Sequence, residues 1–110
     1  MSNKQSKHQQ LSNLLQQLEV QLKQNKLWQT LRPTASALSS SQPFCIDTLS
    51  FEQWLQFVFI EKIDILIKSN AALPTQICLS PMAEEAFRKL QSAPVELLKV
   101  IAAIDKLMSD

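Results

Sequence analysis

Glycine is absent from this 110-residue chain. That excludes every phosphate-binding loop whose backbone must approach its ligand without a Cβ: no P-loop, no Rossmann fingerprint and no glycine-rich kinase loop can be built. Tight β-hairpins are disfavoured too, because their primed turns want residues that tolerate positive φ. Histidine occurs once, at His8, and cysteine twice, at Cys45 and Cys78, without CxxC spacing. One imidazole and two distant thiols make a poor zinc set. The cysteines read as reduced, partly buried thiols. Ser-His-Asp or Cys-His catalysis would have to use His8, in a polar stretch where no buried partner is expected. No catalytic, metal-ligating or cofactor-binding set is therefore assigned.

An excess of charge of one sign is also lacking. Eleven basic residues balance ten acidic ones, for a net charge of +1. Direct binding to nucleic acid is disfavoured, because that affinity comes from clustered Lys and Arg displacing counterions. A shared face of Lys23, Lys26, Arg32 and Lys89 is the one arrangement that would revive it. The densest apolar stretch, Trp54 to Ile67, is broken by Gln56, Glu61, Lys62 and Asp64 and is too short and charged to span a bilayer. The start, MSNKQSKHQQ, lacks the apolar centre of a secretory signal. The default location is cytoplasmic, with no membrane contact. With 45% hydrophobic and 19% charged residues, the chain has the makeup of one globular domain. Its length suffices to bury roughly two thirds of the unfolded surface.

What is present in strength is the segment PFCIDTLSFEQWLQFVFIEKIDILIK, from Pro43 to Lys68, with Trp54 and four of the five phenylalanines. Ser50 followed by Gln53 has the spacing of a capping box, so a helix is predicted from Phe51 to about Lys68. On an ideal wheel Phe51, Trp54, Leu55, Val58, Phe59, Ile65 and Leu66 share a broad apolar arc. Ile60, Ile63 and Ile67 form a second patch. A helix apolar on most sides is covered on most sides, which makes this one central. Lys62 falls inside the first arc, where it must snorkel, pair with a carboxylate such as Asp47, or hold a ligand. Glu61 and Asp64 read as a solvated face, and Glu84 and Glu85 as acids favoured by a helix N-terminus.

Other helices flank this one. Residues 1–9 read as a polar tail, and 10–110 as a single bundle domain. Leu11, Leu14, Leu15, Leu18 and Leu22 form one stripe of a helix that runs to about Lys26. Leu27 to Gln42 is an irregular connection, and Trp28, Leu31 and Leu38 are expected to pack it against the core. Ser80-Pro81 has the form of a helix start with Ser as N-cap, followed by Met82, Ala86 or Ala83, Phe87 and Leu90 as buried positions. Pro94 opens a last helix, with Leu97, Val100, Ile101, Ile104, Leu107 and Met108 on one arc. The fold class is thus all-α: one small bundle of about four helices around a central apolar helix.

Trp28, Pro43-Phe44, Asp47-Thr48, Trp54-Leu55-Gln56, Leu73-Pro74 and Pro81 together resemble the pattern of the YqcC-like family of small uncharacterised bacterial proteins. The resemblance covers most of the chain and implies a helical bundle without assigned activity. It also implies a partner among RNA-modifying enzymes, since genes of this family can sit beside one for a tRNA pseudouridine synthase. Relatives commonly carry proline and a basic residue after the apolar run. Here Glu61-Lys62 stands in that place, so the helix can continue.

The residues that could carry function are aromatic, proline and polar groups at helix ends and loops. If Trp28, Pro43, Phe44, Trp54, Pro74 and Pro81 converge, they line a groove, with Asp47, Gln56 and Lys62 as polar anchors. That predicts a non-catalytic protein-interaction module. The alternative is a small-molecule binder or minor enzyme whose apolar pocket is anchored by Asp47 and Lys62. The oligomeric state is not legible in the sequence.

Overall fold

The structure is a computed structural model and describes residues 6–39, 48–75, 77–88 and 94–109. Among these residues there are five helices and no strand. They are α1 (Lys7–Gln24), the single turn α2 (Ala35–Leu38), α3 (residues 51–68), α4 (Ser80–Phe87) and α5 (Val95–Ser109). α1 packs along α5 and against the second half of α3, and α4 packs against α5.

Helix α1 starts at Lys7, inside the stretch expected to be a tail, because the Ser6 hydroxyl accepts the Gln9 N–H at 3.1 Å. Its leucine stripe is buried as the periodicity predicts: Leu11, Leu15, Leu18 and Leu22 are covered, with Leu14 packed at the margin. His8 sits in the first turn of α1, and its Nε2 lies 2.7 Å from the Ala71 carbonyl oxygen, where a partner had not been expected.

α1 ends in a Schellman turn. The Leu27 N–H reaches the Leu22 carbonyl at 2.8 Å, and the Lys26 N–H reaches Lys23 at 3.1 Å. With no glycine available, Lys26 takes the left-handed position, at φ 61°. α3 ends in the same way. The Ala71 N–H bonds to Leu66 at 2.9 Å and the Asn70 N–H to Ile67 at 3.1 Å, with Asn70 at φ 54°.

The start of α3 follows the sequence reading. Ser50 and Gln53 form the reciprocal capping box, and no proline interrupts the helix at Glu61. Within it, however, Leu55–Phe59 is a π turn, closed by the Ile60 N–H on the Leu55 carbonyl. A π turn accommodates one extra residue, so everything beyond it is rotated by about 100° from its place on an ideal wheel. That rotation corrects three sequence expectations. Ile63, from the secondary patch, becomes the buried centre at 1% exposure, with Ile60 and Ile67 packed beside it. Ile65, expected inside, is 66% exposed. Lys62 leaves the apolar arc and faces solvent.

The core joins Leu55, Phe59 and Ile63 of α3 to the α1 stripe, to Ala83 and Phe87 of α4, and to Leu97, Ile101, Ile104 and Met108 of α5. Of the two alternatives in α4, Ala83 is the buried one and Ala86 is exposed, while Leu90 lies outside the described residues. Leu107 packs at the edge of the core. Phe51 meets Phe87 edge to face, with centroids 5.9 Å apart.

The start of α4 differs from expectation. The helix begins at Ser80, and no side chain of its own caps it. Instead the Asp105 carboxylate of α5 accepts the Leu79 and Ser80 N–H groups at 2.7 Å each. An anion bonded to two free N–H groups at a helix N-terminus is well placed for the dipole as well. Cys78 is a free and exposed thiol rather than a partly buried one, and its neighbour Leu79 is the buried residue here. Cys45 lies outside the described residues. Among the described residues, no helix is long and apolar enough to cross a membrane.

Candidate functional site

The best-built polar feature joins the segment after α1 to the π turn of α3. Gln56, in that turn, is buried at 5% exposure. Its side-chain amide grips the backbone of Gln29 from both sides. The Gln29 N–H donates to Oε1 at 2.9 Å, and Nε2 donates to the Gln29 carbonyl at 2.8 Å. One buried amide thus meets the hydrogen-bonding needs of an extended peptide unit that has no strand to pair with. Gln53, one turn earlier, donates from Nε2 to the Gln29 side-chain oxygen at 3.1 Å.

Three residues on, the strap is fastened again. The Arg32 guanidinium grips the Glu61 carboxylate through two bonds of 2.6 and 3.0 Å. It also lies over the Phe57 ring, 5.7 Å from its centroid. The hydrogen bonds that Arg32 donates to Glu61, more than the carboxylate's charge, hold the Arg32 pKa above its already high value. Both side chains are about half exposed, so the pair contributes little to stability. What it supplies is orientation. Between the two fastenings lies Leu31, expected to pack inward but 81% exposed. The bonds on Gln29 and Arg32 fix the strap with Leu31 turned to water.

The aromatic residues are placed as follows. Trp28 packs at the edge of the core, with the Lys23 ammonium 5.2 Å from its ring centroid. Trp54 stacks on Phe51 with centroids 6.1 Å apart and lies 5.6 Å from the Phe59 ring. Trp28, next to Gln29, and Gln56 therefore meet where the strap crosses the π turn, while the Trp54 ring packs on Phe51 and Phe59.

Pro74 and Pro81 belong to the other end of the bundle. Pro74 follows the α3 terminus that His8, in the first turn of α1, holds at Ala71. Trp28 lies past the opposite end of that helix, about 27 Å away along its axis. Pro81 is exposed in the first turn of α4, beside the Asp105 cap. Pro43, Phe44 and Asp47 lie outside the described residues.

Two surface depressions are bordered mostly by polar side chains. One of about 500 Å³ lies between α1 and α5, bounded by Asn13, Gln16, Gln17, Val20, Glu96 and Val100. Ser12, Leu15, Ile60 and Asp64 border a smaller one, of about 200 Å³, between α1 and α3. Neither contains Trp28, Trp54, Gln56 or Lys62. Glu61 and Asp64 are engaged separately, by Arg32 and by Lys68 at 2.8 Å. Among the described residues, no three His, Cys, Asp or Glu side chains come together as a metal site. The Gln56 clasp and the Asp105 cap escaped sequence reasoning, since their partners stand 27 and 25–26 positions away.

Comparison with known proteins agrees with this fold. Residues 10–107 match the family DUF446, described as tRNA pseudouridine synthase C. An uncharacterised protein of Haemophilus influenzae is 42% identical over 96 residues, covering 87% of this chain and 90% of that protein. Protein YqcC of Escherichia coli is 29% identical over 96 residues, covering 87% and 88%. The solution NMR structure of YqcC superimposes with a TM-score of 0.84 at 27% identity, over 96% of this chain and 91% of that one. A tRNA pseudouridine synthase C of Pectobacterium carotovorum is 36% identical over 69 residues, which are 63% of this chain but only 18% of that protein. A helical bundle matched almost end to end by small uncharacterised relatives, and by a segment of a much longer one, places this chain in the DUF446 family with the YqcC proteins.

Proposed function

We propose that this chain is a cytoplasmic, non-catalytic interaction module that works as an accessory to a tRNA pseudouridine synthase. The observation that carries the reading is the Pectobacterium protein. A segment similar to this chain makes up 18% of it, so more than four fifths of that polypeptide lies outside the match. When a domain stands alone in one relative and inside an enzyme in another, physical association is the economical explanation. A covalent tether holds two parts at an effective concentration of order millimolar. A relative without such a tether must obtain the same encounter from its own surface.

The side chains support a structural role. Glu19, Glu61, Asp64, Glu85 and Glu96 each meet a Lys or Arg near the surface, and Asp105 is committed to the α4 backbone. Among the described residues, nothing in that arrangement positions a nucleophile beside a base.

The test uses the purified chain and the purified tRNA pseudouridine synthase C of the same organism. Calorimetric titration is expected to give a dissociation constant in the micromolar range or tighter. Pseudouridine formation in tRNA at limiting synthase is expected to change when the chain is added. No heat of binding, with and without tRNA, together with unchanged turnover would remove the reading.

A further inference from the structure

We propose that the face formed by Leu31, Arg32, Glu61, Lys62 and Ile65 is the surface that docks on the synthase. This rests on the accessory reading above and specifies where the contact is made.

Two large aliphatic side chains stand out from the bundle: Leu31 at 81% exposure and Ile65 at 66%. They belong to one face. Glu61 and Ile65 are one turn apart on α3, and Glu61 holds Arg32, the neighbour of Leu31. Single exposed apolar residues are common and mean little. What distinguishes this pair is how firmly each is presented. Leu31 sits on a strap tied at Gln29 by the buried Gln56 amide and at Arg32 by two bonds to Glu61 and the Phe57 ring. Ile65 is rigid because it is part of a helix whose π turn rotates it outward while Ile63 is locked in the core. A backbone already held in place loses little freedom on binding, and that lowers the entropic cost of association. Arg32 adds a planar cation whose rotamer is set in advance.

Charge argues for the occupant. Arg32 with Glu61 and Lys68 with Asp64 neutralise each other, whereas Lys62, exposed and three residues before Ile65, makes no ion pair among the described residues. The face therefore carries an uncompensated positive charge beside its apolar centre. A second copy packed with Lys62 on the two-fold axis would bring like charges together. A different protein with an apolar socket for Leu31 and Ile65 and a carboxylate opposite Lys62 fits it. The part of the Pectobacterium synthase outside the matching segment is the candidate that the comparisons supply.

Binding of the purified full-length chain to purified synthase at fixed salt decides the matter. The double variant L31E/I65E is expected to keep the wild-type melting temperature and to weaken binding by at least about 100-fold. K62E is expected to weaken it about tenfold and to reduce its salt dependence. A control, V20E/V95E, alters the two other exposed aliphatic positions on α1 and α5 and should bind as wild type. If wild type binds and L31E/I65E binds equally well, the docking face is wrong and the accessory reading survives. If wild type does not bind, the accessory reading falls and the face loses its occupant. A wild-type dimer in sedimentation that L31E/I65E dissolves would assign the face to a second copy and overturn the proposal.

Discussion

Helices α1 and α3 start and stop by the same devices, yet one follows the ideal wheel and the other does not. Both open on a serine whose hydroxyl takes the N–H three residues on, and both close in a Schellman turn without glycine. In α1 the i to i+4 ladder is regular, and a stripe read at about 100° per residue is buried along its whole length. In α3 the stripe holds at Phe51, Trp54, Leu55 and Phe59, and Leu66 still packs at the margin. Val58, however, is outside the core cluster, and Ile63 takes the buried place expected of Ile65, because the π turn inserts one residue. Periodicity is a property of the hydrogen-bond ladder. A reading of periodicity is only as good as the assumption that the ladder never changes.

The sharpest way to break this comparison is at Ile63 and Ile65. Ile63→Ala is expected to cost about 3 kcal/mol, close to the cost of Leu18→Ala in the regular helix, because both side chains are fully enclosed. Ile65→Ala should stay within about 0.5 kcal/mol of wild type. Urea denaturation of the three variants checks it. An unbroken α-helix reverses the order of the two isoleucines, so a costly Ile65→Ala with a mild Ile63→Ala would refute the π turn.

A smaller effect is expected at the turn itself. Gln56→Leu keeps the bulk and removes both bonds to the Gln29 backbone, leaving that N–H and carbonyl to find water. A loss of about 1–2 kcal/mol follows. The strap should also loosen locally, seen as faster hydrogen exchange at the Gln29 amide with little change in the amides of α1. Uniform acceleration across the molecule would mean that Gln56 is merely part of the core.

These variants mark how much was legible beforehand. Helix identity, the capping box, the leucine stripe of α1 and the α5 face were all legible, because each rests on residues within a few turns of one another. The rotation after Phe59 was not, since LQFVF carries no residue that requires a π turn. The cap on α4 was misread for a related reason. Ser80 has the chemistry to cap the N–H groups two and three residues on, but it is itself the first helical residue, and the Asp105 carboxylate takes the Leu79 and Ser80 N–H groups from a different helix. Of the candidate groove residues, Gln56 meets the strap beside Trp28, Pro74 and Pro81 lie with the far end of the bundle, and Pro43, Phe44 and Asp47 lie outside the described residues. Leu31, expected in the core on hydrophobicity alone, is 81% exposed, since hydrophobic residues are free to sit outside.

The two C-terminal turns offer the finest contrast. Both need a residue at positive φ, and the chain has no glycine to put there. The left-handed region costs an ordinary L-residue about 1–2 kcal/mol, whereas asparagine tolerates it through its short polar side chain. Glycine removes that cost but adds about 0.5–1 kcal/mol of unfolded-state entropy. Lys26→Gly should therefore stabilise the protein by about 0.5–1 kcal/mol, and Asn70→Gly should be neutral or slightly destabilising. Thermal melts of the two variants, run side by side, measure the difference. Equal shifts would mean that the strain at Lys26 is relieved elsewhere, by the contact of its neighbour Leu27 with the core.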